Sequence, residues 1–163
     1  MKKIFLILLI ILPLYLLFSL FFLDKYSFLC PIEYTRYPVV RSDSRGNGFF
    51  AASRGNGSRM HEGIDLLAAI NTPVSSARSG IIIAAASSRG MGNYVIIRHP
   101  GSLTTIYGHL LKIYVTKGQF VRQGQIIGAV GKTGNANYRD IQPHLHFEVR
   151  KNGIPQDPRE YLE

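Results

Sequence analysis

The sequence predicts an all-β domain, a compact antiparallel β-sheet that follows one N-terminal transmembrane helix. Three observations support this fold class. Short runs rich in β-branched residues recur from residue 60 onward, turns rich in glycine, proline and asparagine separate them, and no stretch after the apolar N-terminus keeps a helical periodicity. The chain has 163 residues, 46% of them hydrophobic, which is enough for one modest domain.

The first 23 residues predict a cytoplasmic N-terminus and a membrane anchor. The run from Ile4 to Leu23 carries no charged side chain. At about 1.5 Å per residue it is long enough for the ~30 Å hydrocarbon layer of a membrane. No small residues typical of a cleavage site precede Asp24, which favours an uncleaved anchor over a secretory signal. Lys2 and Lys3 predict that the N-terminus stays inside and that the chain after Asp24 lies outside the cytoplasmic membrane.

Charge and cysteine content limit the possible partners of the external part. The formal net charge is +9, from 19 basic and 10 acidic side chains. Excess positive charge outside a membrane indicates an anionic partner such as the cell wall or lipid head groups. Nucleic acid is a poor candidate partner for an anchored external domain, and the scattered arginines are typical of a solvated surface. Cys30 is the only cysteine, so no internal disulfide can form.

Residues 24–46 are predicted to be a tether, and residues 47–163 to be the folded domain. The pentapeptide Ser-Arg-Gly-Asn-Gly occurs at residues 44–48 and again at residues 53–57. It predicts two glycine-bearing turns flanking a short strand at residues 49–52. The later apolar runs predict strands at Val74 and at residues 81–84, 94–98, 104–107, 113–115 and 126–130.

The segment at residues 143–149, Pro-His-Leu-His-Phe-Glu-Val, alternates apolar and polar residues. Its period of two predicts a half-buried strand with His144, His146 and Glu148 on one face. Two imidazoles in this arrangement are roughly 7 Å apart at their Cα atoms. One ring can then bind a metal while the other lies close to the molecule that the metal activates. The alternative is a surface strand that happens to carry two histidines.

A second histidine segment, His61-Glu62-Gly63-Ile64-Asp65, supplies an imidazole and a carboxylate, which are both good zinc ligands. On a flat strand these groups would lie roughly 13 Å apart, too far to meet one ion. The chain must therefore bend between them, and Gly63 permits the bend. A helix with Glu62 as base, as in the helical zinc proteases, is an alternative that Gly63 and the surrounding strand pattern disfavour.

Two further histidines have different contexts. His109 ends the strand-like run Tyr107-Gly108-His109-Leu110, which places it to project from a strand end into a cleft. His99 precedes Pro100 at a turn, which indicates a hydrogen-bonded turn residue rather than a ligand.

Taken together, these segments resemble the lysostaphin-type zinc endopeptidases of bacterial cell walls, also called the LytM family. The resemblance covers roughly residues 47–161. It rests on separated motifs in the right order: His61-x-Gly63-x-Asp65, the segments at residues 92–99 and 105–110, the glycine-spaced run at residues 115–128, Gly131-Lys-Thr-Gly134 and Pro143-His-Leu-His-Phe-Glu148.

The resemblance implies a role for each matching residue. His61, Asp65 and His146 would be the zinc ligands, and His109 and His144 the catalytic pair beside the metal-bound water. The implied fold is a compact antiparallel β domain with a groove across the metal. The implied function is that of a zinc metalloendopeptidase that hydrolyses peptide bonds in peptidoglycan stem peptides or cross-bridges. Together with the anchor predicted at residues 1–23, this gives an enzyme held in the bacterial cytoplasmic membrane.

The chemistry of these residues agrees with that role. Two neutral imidazoles and one carboxylate leave Zn²⁺ with a net charge near +1 and an open position for water, whose pKa falls to about 7. His109 and His144 can then orient or deprotonate the water and return a proton to the leaving amine. Glu148 is either an acceptor that orients a ligand imidazole or one side of a structural salt bridge.

The chain departs from the family pattern between its Thr-Gly turn and Pro143. Residues 135–142 form a longer connection, with Gln142 rather than glycine before the proline. This loop should border the groove, where Tyr138 and Arg139 either contact substrate or lie exposed.

Two other functions remain open from the sequence. One is a non-catalytic wall-binding module that activates another hydrolase. The other is a biotin or lipoyl carrier, suggested by the glycine-spaced run at residues 115–127. The only suitable turn lysine, Lys132, lacks the methionine neighbours of a modified lysine, which disfavours the carrier.

Overall fold

The computed structural model describes residues 11–14, 24, 27–34, 38–55 and 57–162. Of the predicted membrane anchor it describes residues 11–14, which are helical and exposed. The rest of that prediction lies outside the described residues. Within the described ranges, no helix is long and apolar enough to cross a bilayer.

The described residues form antiparallel strands with two short 3-10 helices, which confirms the predicted all-β domain. The strands are β1 Ser42–Asp43, β2 Gly46–Asn47, β3 Ser53–Arg54, β4 Arg59–Met60, β5 Ile64–Leu67, β6 Pro73–Ser75, β7 Gly80–Ser88, β8 Gly92–His99, β9 Leu103–Ile113, β10 Phe120–Val121, β11 Ile126–Val130, β12 His144–Lys151 and β13 Ile154–Gln156. The 3-10 helices are Gly134–Ala136 and Pro158–Glu160.

The main sheet has the order β10-β7-β8-β9-β11-β6, and β12 pairs with β9, β5 and β13. Strand β12 is therefore the element that joins the early segment β5 to the long strand β9. Its register with β5 sets His146 opposite Asp65, and its register with β9 sets His146 opposite Gly108. Residues from three distant parts of the sequence meet at this point of the sheet.

Two short hairpins precede the main sheet and replace the strand predicted at residues 49–52. The hairpins are β1-β2 and β3-β4. Each contains one copy of the pentapeptide, which confirms the predicted glycine turns. The predicted strand between them is wrong, because residues 49–51 turn and Ala51 has a φ of 59°. The turn brings the second hairpin back toward β5, since Ala51 N–H donates to the His61 carbonyl at 2.9 Å.

Part of the predicted tether packs into the domain. Phe28, Cys30 and Ile32 are buried in the core, with Phe28 only 1% exposed. The backbone of this segment is also fixed, because Leu29 N–H donates to the Ala77 carbonyl at 2.8 Å and Ser75 N–H donates to the Pro31 carbonyl at 2.8 Å. All three side chains belong to the same hydrophobic core as the strands of the main sheet.

The other core residues come mainly from the strands of the main sheet. They include Leu66, Val74, Ile82, Val95, Ile97, Tyr107, Leu110, Ile127, Val130, Leu145 and Phe147. On β12 both faces are buried, since His144, His146 and Glu148 are as covered as the apolar residues between them. The prediction of a half-buried strand is therefore wrong for its polar face. That face lies under a groove walled by the hairpins and residues 135–142.

Candidate metal centre and groove

Three of the predicted site residues, His61, Asp65 and His146, come together at one point. Asp65 lies on β5, His146 lies opposite it on β12, and His61 lies in the bend that precedes β5. His146 Nδ1 is 2.9 Å from Asp65 Oδ1, and His61 Nε2 is 3.1 Å from the same oxygen. The two nitrogens are 3.0 Å apart. The three donor atoms thus form a nearly equilateral triangle.

The bend at Gly63 is the feature that brings His61 to the triangle. Residues 61–63 lie outside any strand or helix, and β5 begins at Ile64, so the helical alternative for this segment is wrong. Gly63 lies so close to β12 that a Cβ atom there would be 2.3 Å from the Phe147 carbonyl oxygen. Glycine is required here for this close approach, because any side chain would push β5 away from β12.

Hydrogen bonds on the outer ring nitrogens set the tautomers of the two histidines. His61 Nδ1 lies 2.9 Å from the Phe49 carbonyl, and His146 Nε2 lies 3.0 Å from the Glu148 carboxylate. Since a carbonyl and a carboxylate only accept, both outer nitrogens carry the proton. In the neutral rings, the inner nitrogens therefore direct lone pairs at each other and at Asp65.

This donor set fits a zinc ion. Two imidazole lone pairs and a carboxylate oxygen that converge are stabilised by a cation between them. Bonds of about 2.0–2.2 Å in a tetrahedral site separate the ligand atoms by roughly 3.3 Å, close to the separations in the triangle. The fourth corner faces the groove, which His61, Asp65 and His146 all line.

The charges of Asp65 and His146 depend on each other in the metal-free protein. Burial opposes ionisation of Asp65, but hydrogen bonds from His146 and His61 hold the pKa of its carboxyl well below the usual range. Burial also opposes a charge on His146, but hydrogen bonds to Asp65 and Glu148 raise its pKa to about 9. A metal at this site therefore has to displace a proton from His146.

The other two predicted residues, His109 and His144, lie beside the triangle. Their ring centroids are 5.0 Å apart, and His144 Nε2 is 3.9 Å from Asp65 Oδ1. His109 Nδ1 donates to the Thr133 carbonyl at 3.0 Å, and His144 Nδ1 donates to the Gln142 carbonyl at 2.6 Å. In both neutral rings the proton is on Nδ1, which leaves Nε2 as an acceptor.

Both of these rings are held in the neutral form. Burial, and after it the positive charge of the nearby His146, lower the pKa of His109 to about 3. Burial also lowers the pKa of His144, although the nearby Asp65 carboxylate opposes the shift. At physiological pH both rings therefore keep an unprotonated Nε2, which is free to accept a hydrogen bond.

His109 reaches this position through an irregular backbone. Its φ is 60°, in the left-handed region that non-glycine residues rarely adopt. The pairing of β9 with β8 shifts register between Asn93 and Val95, and His109 N–H donates to the Met91 carbonyl outside that pairing. The irregularity turns the ring toward His144 and His146. Strain of this kind occurs at functional sites.

Two arginines donate hydrogen bonds to the second carboxylate oxygen of Asp65, and no pattern in the sequence predicted these contacts. Arg41 donates to Asp65 Oδ2 through Nη2 at 3.0 Å and through Nε at 3.3 Å, and Arg54 Nη2 lies 3.4 Å from the same oxygen. The solvated surface expected for the basic residues is wrong here, because Arg41 is buried and the Arg54 side chain is 16% exposed. These contacts leave Oδ1 alone to face the histidines.

Glu148 has both of the functions that the sequence left open. Its carboxylate accepts from His146 and also from Arg150 Nε at 2.7 Å. Arg150 in turn donates to Glu62 at 2.6 Å. Burial raises the pKa of Glu148, but His146 and Arg150 together hold it below its usual value. Glu148 therefore fixes the His146 ring, and Glu62 is an ion-pair partner of Arg150.

His99 lies outside the site, as predicted. It is buried at the end of β8, where Nδ1 donates to the Ser79 carbonyl at 2.9 Å and Nε2 lies 2.8 Å from the Thr105 hydroxyl. Both ring nitrogens are therefore used within the fold.

The groove above the triangle has a volume of about 460 Å³. The connection at residues 135–142 forms one of its walls, which confirms that this loop borders the groove. The loop is attached to the β1-β2 hairpin by an ion pair of 2.7 Å between Arg45 and Asp140 and by a hydrogen bond of 3.1 Å from Gln142 N–H to Asp43. The Arg45 guanidinium also lies 4.7 Å from the Tyr138 ring centroid. The groove is thus closed on this side.

Comparisons with known proteins agree with this geometry. Residues 59–158 match peptidase family M23. The chain is 43% identical over 100 residues to the DD-carboxypeptidase/endopeptidase Mpg of Neisseria meningitidis serogroup B, a stretch that covers 61% of this chain and 22% of that protein. The chain therefore spans under a quarter of the length of this relative.

Solved structures show the same fold. A zinc-containing peptidase from Vibrio cholerae superposes with a TM-score of 0.66 and 35% identity, over 80% of this chain and 38% of that one. The catalytic domain of the antimicrobial peptidase lysostaphin from Staphylococcus simulans superposes with a TM-score of 0.61 and 36% identity, over 73% of this chain and 91% of that one.

Proposed function

Because the chain belongs to peptidase family M23, we propose that it is a zinc metalloendopeptidase that hydrolyses peptide bonds in peptidoglycan stem peptides or cross-bridges. The observation that carries this proposal is the triangle of His61, Asp65 and His146 donor atoms, all within 4.8 Å of one another, with two neutral histidines beside it. The name of another relative, the peptidoglycan DD-endopeptidase ShyC of Vibrio cholerae, which is 41% identical over 101 residues, supports peptidoglycan as the substrate.

In this proposal the three triangle residues hold the zinc ion. The bound ion supplies a Lewis acid for the peptide carbonyl and lowers the pKa of water to about 7. Glu148 holds the His146 ring through Nε2, and Phe49 holds the His61 ring through Nδ1, so the ligand nitrogens are fixed before the metal arrives. Asp65 contributes the single anion, oriented by Arg41.

His144 and His109 move the protons. Each presents a neutral Nε2 to the groove, which can accept a proton from the attacking water. Once protonated, the same nitrogen can donate to the negative oxygen of the transition state or to the leaving amine. The carbonyls of Thr133 and Gln142 accept from Nδ1 and keep each ring in the orientation that this transfer requires.

Cleavage of isolated cross-linked muropeptides by the full chain, zinc-loaded in detergent, tests this proposal. We expect new amino termini by mass spectrometry with the native protein. His144→Ala should bind zinc as before and lose at least a hundredfold in kcat/KM, because general acid–base catalysis contributes about 10²–10⁴. Equal binding of peptidoglycan by both proteins, with cleavage by neither, would refute the enzyme and favour the non-catalytic module.

We also propose the location and layout of the whole chain. Residues 1–23 would anchor it in the bacterial cytoplasmic membrane with a single span, and the chain after residue 23, including the packed segment at residues 27–34, would lie on the outer side. The uncharged run at residues 4–23 supports this. Protease added to intact spheroplasts should degrade the domain, and protection of the domain would refute the orientation.

A further inference from the structure

One wall of the groove carries more positive charge than its acidic neighbours balance. Four arginines line this wall, namely Arg41, Arg45, Arg54 and Arg59. The carboxylates that pair with them are Asp43, Asp65 and Asp140. One of these, Asp65, would also bind the metal. Glu62 and Glu148 also line the groove, but both are paired with Arg150. With the ion in place, this end of the groove therefore keeps an excess of positive charge.

The excess lies on the β3-β4 hairpin. Arg41 is paired with Asp43 and Asp65, and Arg45 is paired with Asp140. Arg54 has only a distant contact, 3.4 Å, with an Asp65 oxygen that Arg41 already occupies at 3.0 Å. The Arg59 side chain has no hydrogen-bond or ion-pair partner in the part of the chain that the structure describes. Arg54 and Arg59 thus lack a carboxylate of their own.

These two arginines are direct partners across the hairpin. The register of β3 and β4 sets Arg54 opposite Arg59. Residues opposite each other in an antiparallel pair have Cβ atoms about 4.5–5.5 Å apart, and like charges in this arrangement are destabilising. Both side chains line the groove. An anion between the two guanidinium groups would turn this repulsion into two favourable ion pairs.

The chemistry of the groove indicates a carboxylate. A guanidinium group binds a carboxylate through two parallel N–H···O bonds, and the two groups match in planarity and spacing. Arg54 and Arg59 line the same groove as the triangle, and Arg54 reaches Asp65 itself. We propose that Arg54 and Arg59 form a subsite for a free carboxylate of the peptide, close to the bond that is cut. The inference rests on the proposed function, because it assigns a substrate preference to the same groove.

Paired substrates test the subsite. Cross-linked muropeptides with free carboxylates are compared with the same muropeptides after amidation with carbodiimide and ammonium. The native protein should prefer the free acids. In Arg59→Gln the ratio of kcat/KM for the two substrates should fall roughly fivefold toward unity, the size expected for a partly exposed ion pair. Arg59 is the better variant, because Arg54 also contacts Asp65.

Arg98→Gln is the matched control. Arg98 is exposed on β8 and does not line the groove, so its removal changes the net charge equally but should keep the native preference. An unchanged preference in Arg59→Gln, or an equal fall in Arg98→Gln, would overturn the subsite while leaving the proposed peptidase intact.

Binding separates the subsite from catalysis. Zinc-loaded His144→Ala, which should not cleave, is titrated with fluorescently labelled muropeptides in the acid and amidated forms. The acid form should bind more tightly, and adding Arg59→Gln should remove that difference. This result would support the subsite even if the native protein cleaved neither substrate, in which case only the proposed peptidase would fail. Equal binding of the two forms would overturn the subsite.

Discussion

His109 is the residue whose local conformation departs furthest from what its side chain prefers. A φ of 60° costs a non-glycine residue roughly 1–2 kcal/mol, and the ring is nevertheless held between Thr133 and the groove. The strain is a consequence of turning an imidazole out of a strand and toward the metal triangle. The position of this ring beside the triangle therefore has a cost in stability.

A pair of substitutions measures this strain. His109→Gly should be more stable than His109→Ala by about 1 kcal/mol, because glycine adopts a positive φ without steric cost. Both variants lose the same ring and the same hydrogen bond to Thr133. Urea unfolding of the zinc-free proteins gives the comparison. At an ordinary strand position the alanine variant would be more stable than the glycine variant. If His109→Ala is the more stable variant here as well, the backbone at this position is not strained.

Asp65 is the only anion of the triangle, and it also neutralises Arg41 and Arg54. Asp65→Ala should abolish tight zinc binding and lower the free energy of unfolding by about 1.5–3 kcal/mol, since the buried Arg41 keeps Asp43 but loses its charged hydrogen bonds to Asp65. Metal content after dialysis and urea unfolding give the two values. Asp140→Ala, which removes an exposed ion pair with Arg45, should change neither by much. Unchanged zinc stoichiometry in Asp65→Ala would refute the ligand assignment.

The raised pKa of His146 predicts how the stability of the zinc-free protein changes with pH. Its pKa is about 9 in the folded protein and about 6.5 in an unfolded chain, so the folded state binds more protons between these values. The stabilisation is complete below pH 6.5 and is lost as the pH rises toward 9. The free energy of unfolding should fall by about 1 kcal/mol per pH unit in this window.

Urea unfolding at pH 7, 8 and 9 in the presence of a chelator measures this slope. His146→Gln should lack it, because no proton is then bound at this position. The apparent zinc affinity of the native protein should increase over the same window, since the metal competes with fewer protons. A stability that is constant from pH 7 to 9 would contradict the raised pKa.

At the scale of elements, the pairing of β5 with β12 decides whether a metal site exists. Strand β12 carries His144, His146 and Glu148 on one face, and its register with β5 adds Asp65. Gly63 allows the chain before β5 to lie against β12. This close approach places His61 on the same side of the sheet as His144 and His146. The site is therefore sensitive to the distance between two strands that are far apart in the sequence.

Gly63→Ala tests this dependence. The new Cβ atom would be 2.3 Å from the Phe147 carbonyl oxygen and 2.9 Å from Glu148 Cγ, so β5 must move away from β12. We expect a loss of about 2 kcal/mol or more in stability and weaker zinc binding. Gly90→Ala is the control, because nothing lies within 4 Å of a Cβ atom there. Native stability and zinc affinity in Gly63→Ala would show that the close approach is unnecessary.

At the scale of the whole molecule, the segment before the sheet belongs to the folded unit. Phe28 packs edge-on against His99 and Tyr161, which lie at the end of β8 and near the C-terminus. It therefore connects the segment before the sheet to the last residues of the folded domain. A domain cut at residue 47 would lose this contact and expose the core beneath it.

Phe28→Ala should lower the free energy of unfolding by about 3–5 kcal/mol, the cost of a large cavity in a core. Tyr34→Ala is the control in the same segment, because Tyr34 is 38% exposed and should cost far less. Urea unfolding measures both. Equal and small effects would show that the segment is a tether throughout its length.

Local patterns in the sequence determined much of the sheet and part of the site. The alternation at residues 144–149 predicted strand β12 and the shared face of its two histidines, because the pleat fixes side-chain direction residue by residue. The need for a bend at Gly63 followed from the reach of an extended chain. The resemblance to a peptidase family then joined His61 and Asp65 to His146, a link that no local pattern contains.

Only the tertiary structure decided which distant residues support that site. The two arginines on Asp65, the burial of Phe28, the turn at residues 49–51 and the irregular backbone of His109 all depend on pairings between segments far apart in the chain. Arg41, for example, reaches Asp65 because its N–H donates to the Asp65 carbonyl at 2.8 Å. Periodicity and turn chemistry describe a few neighbouring residues at a time, whereas such contacts form only when the whole sheet closes.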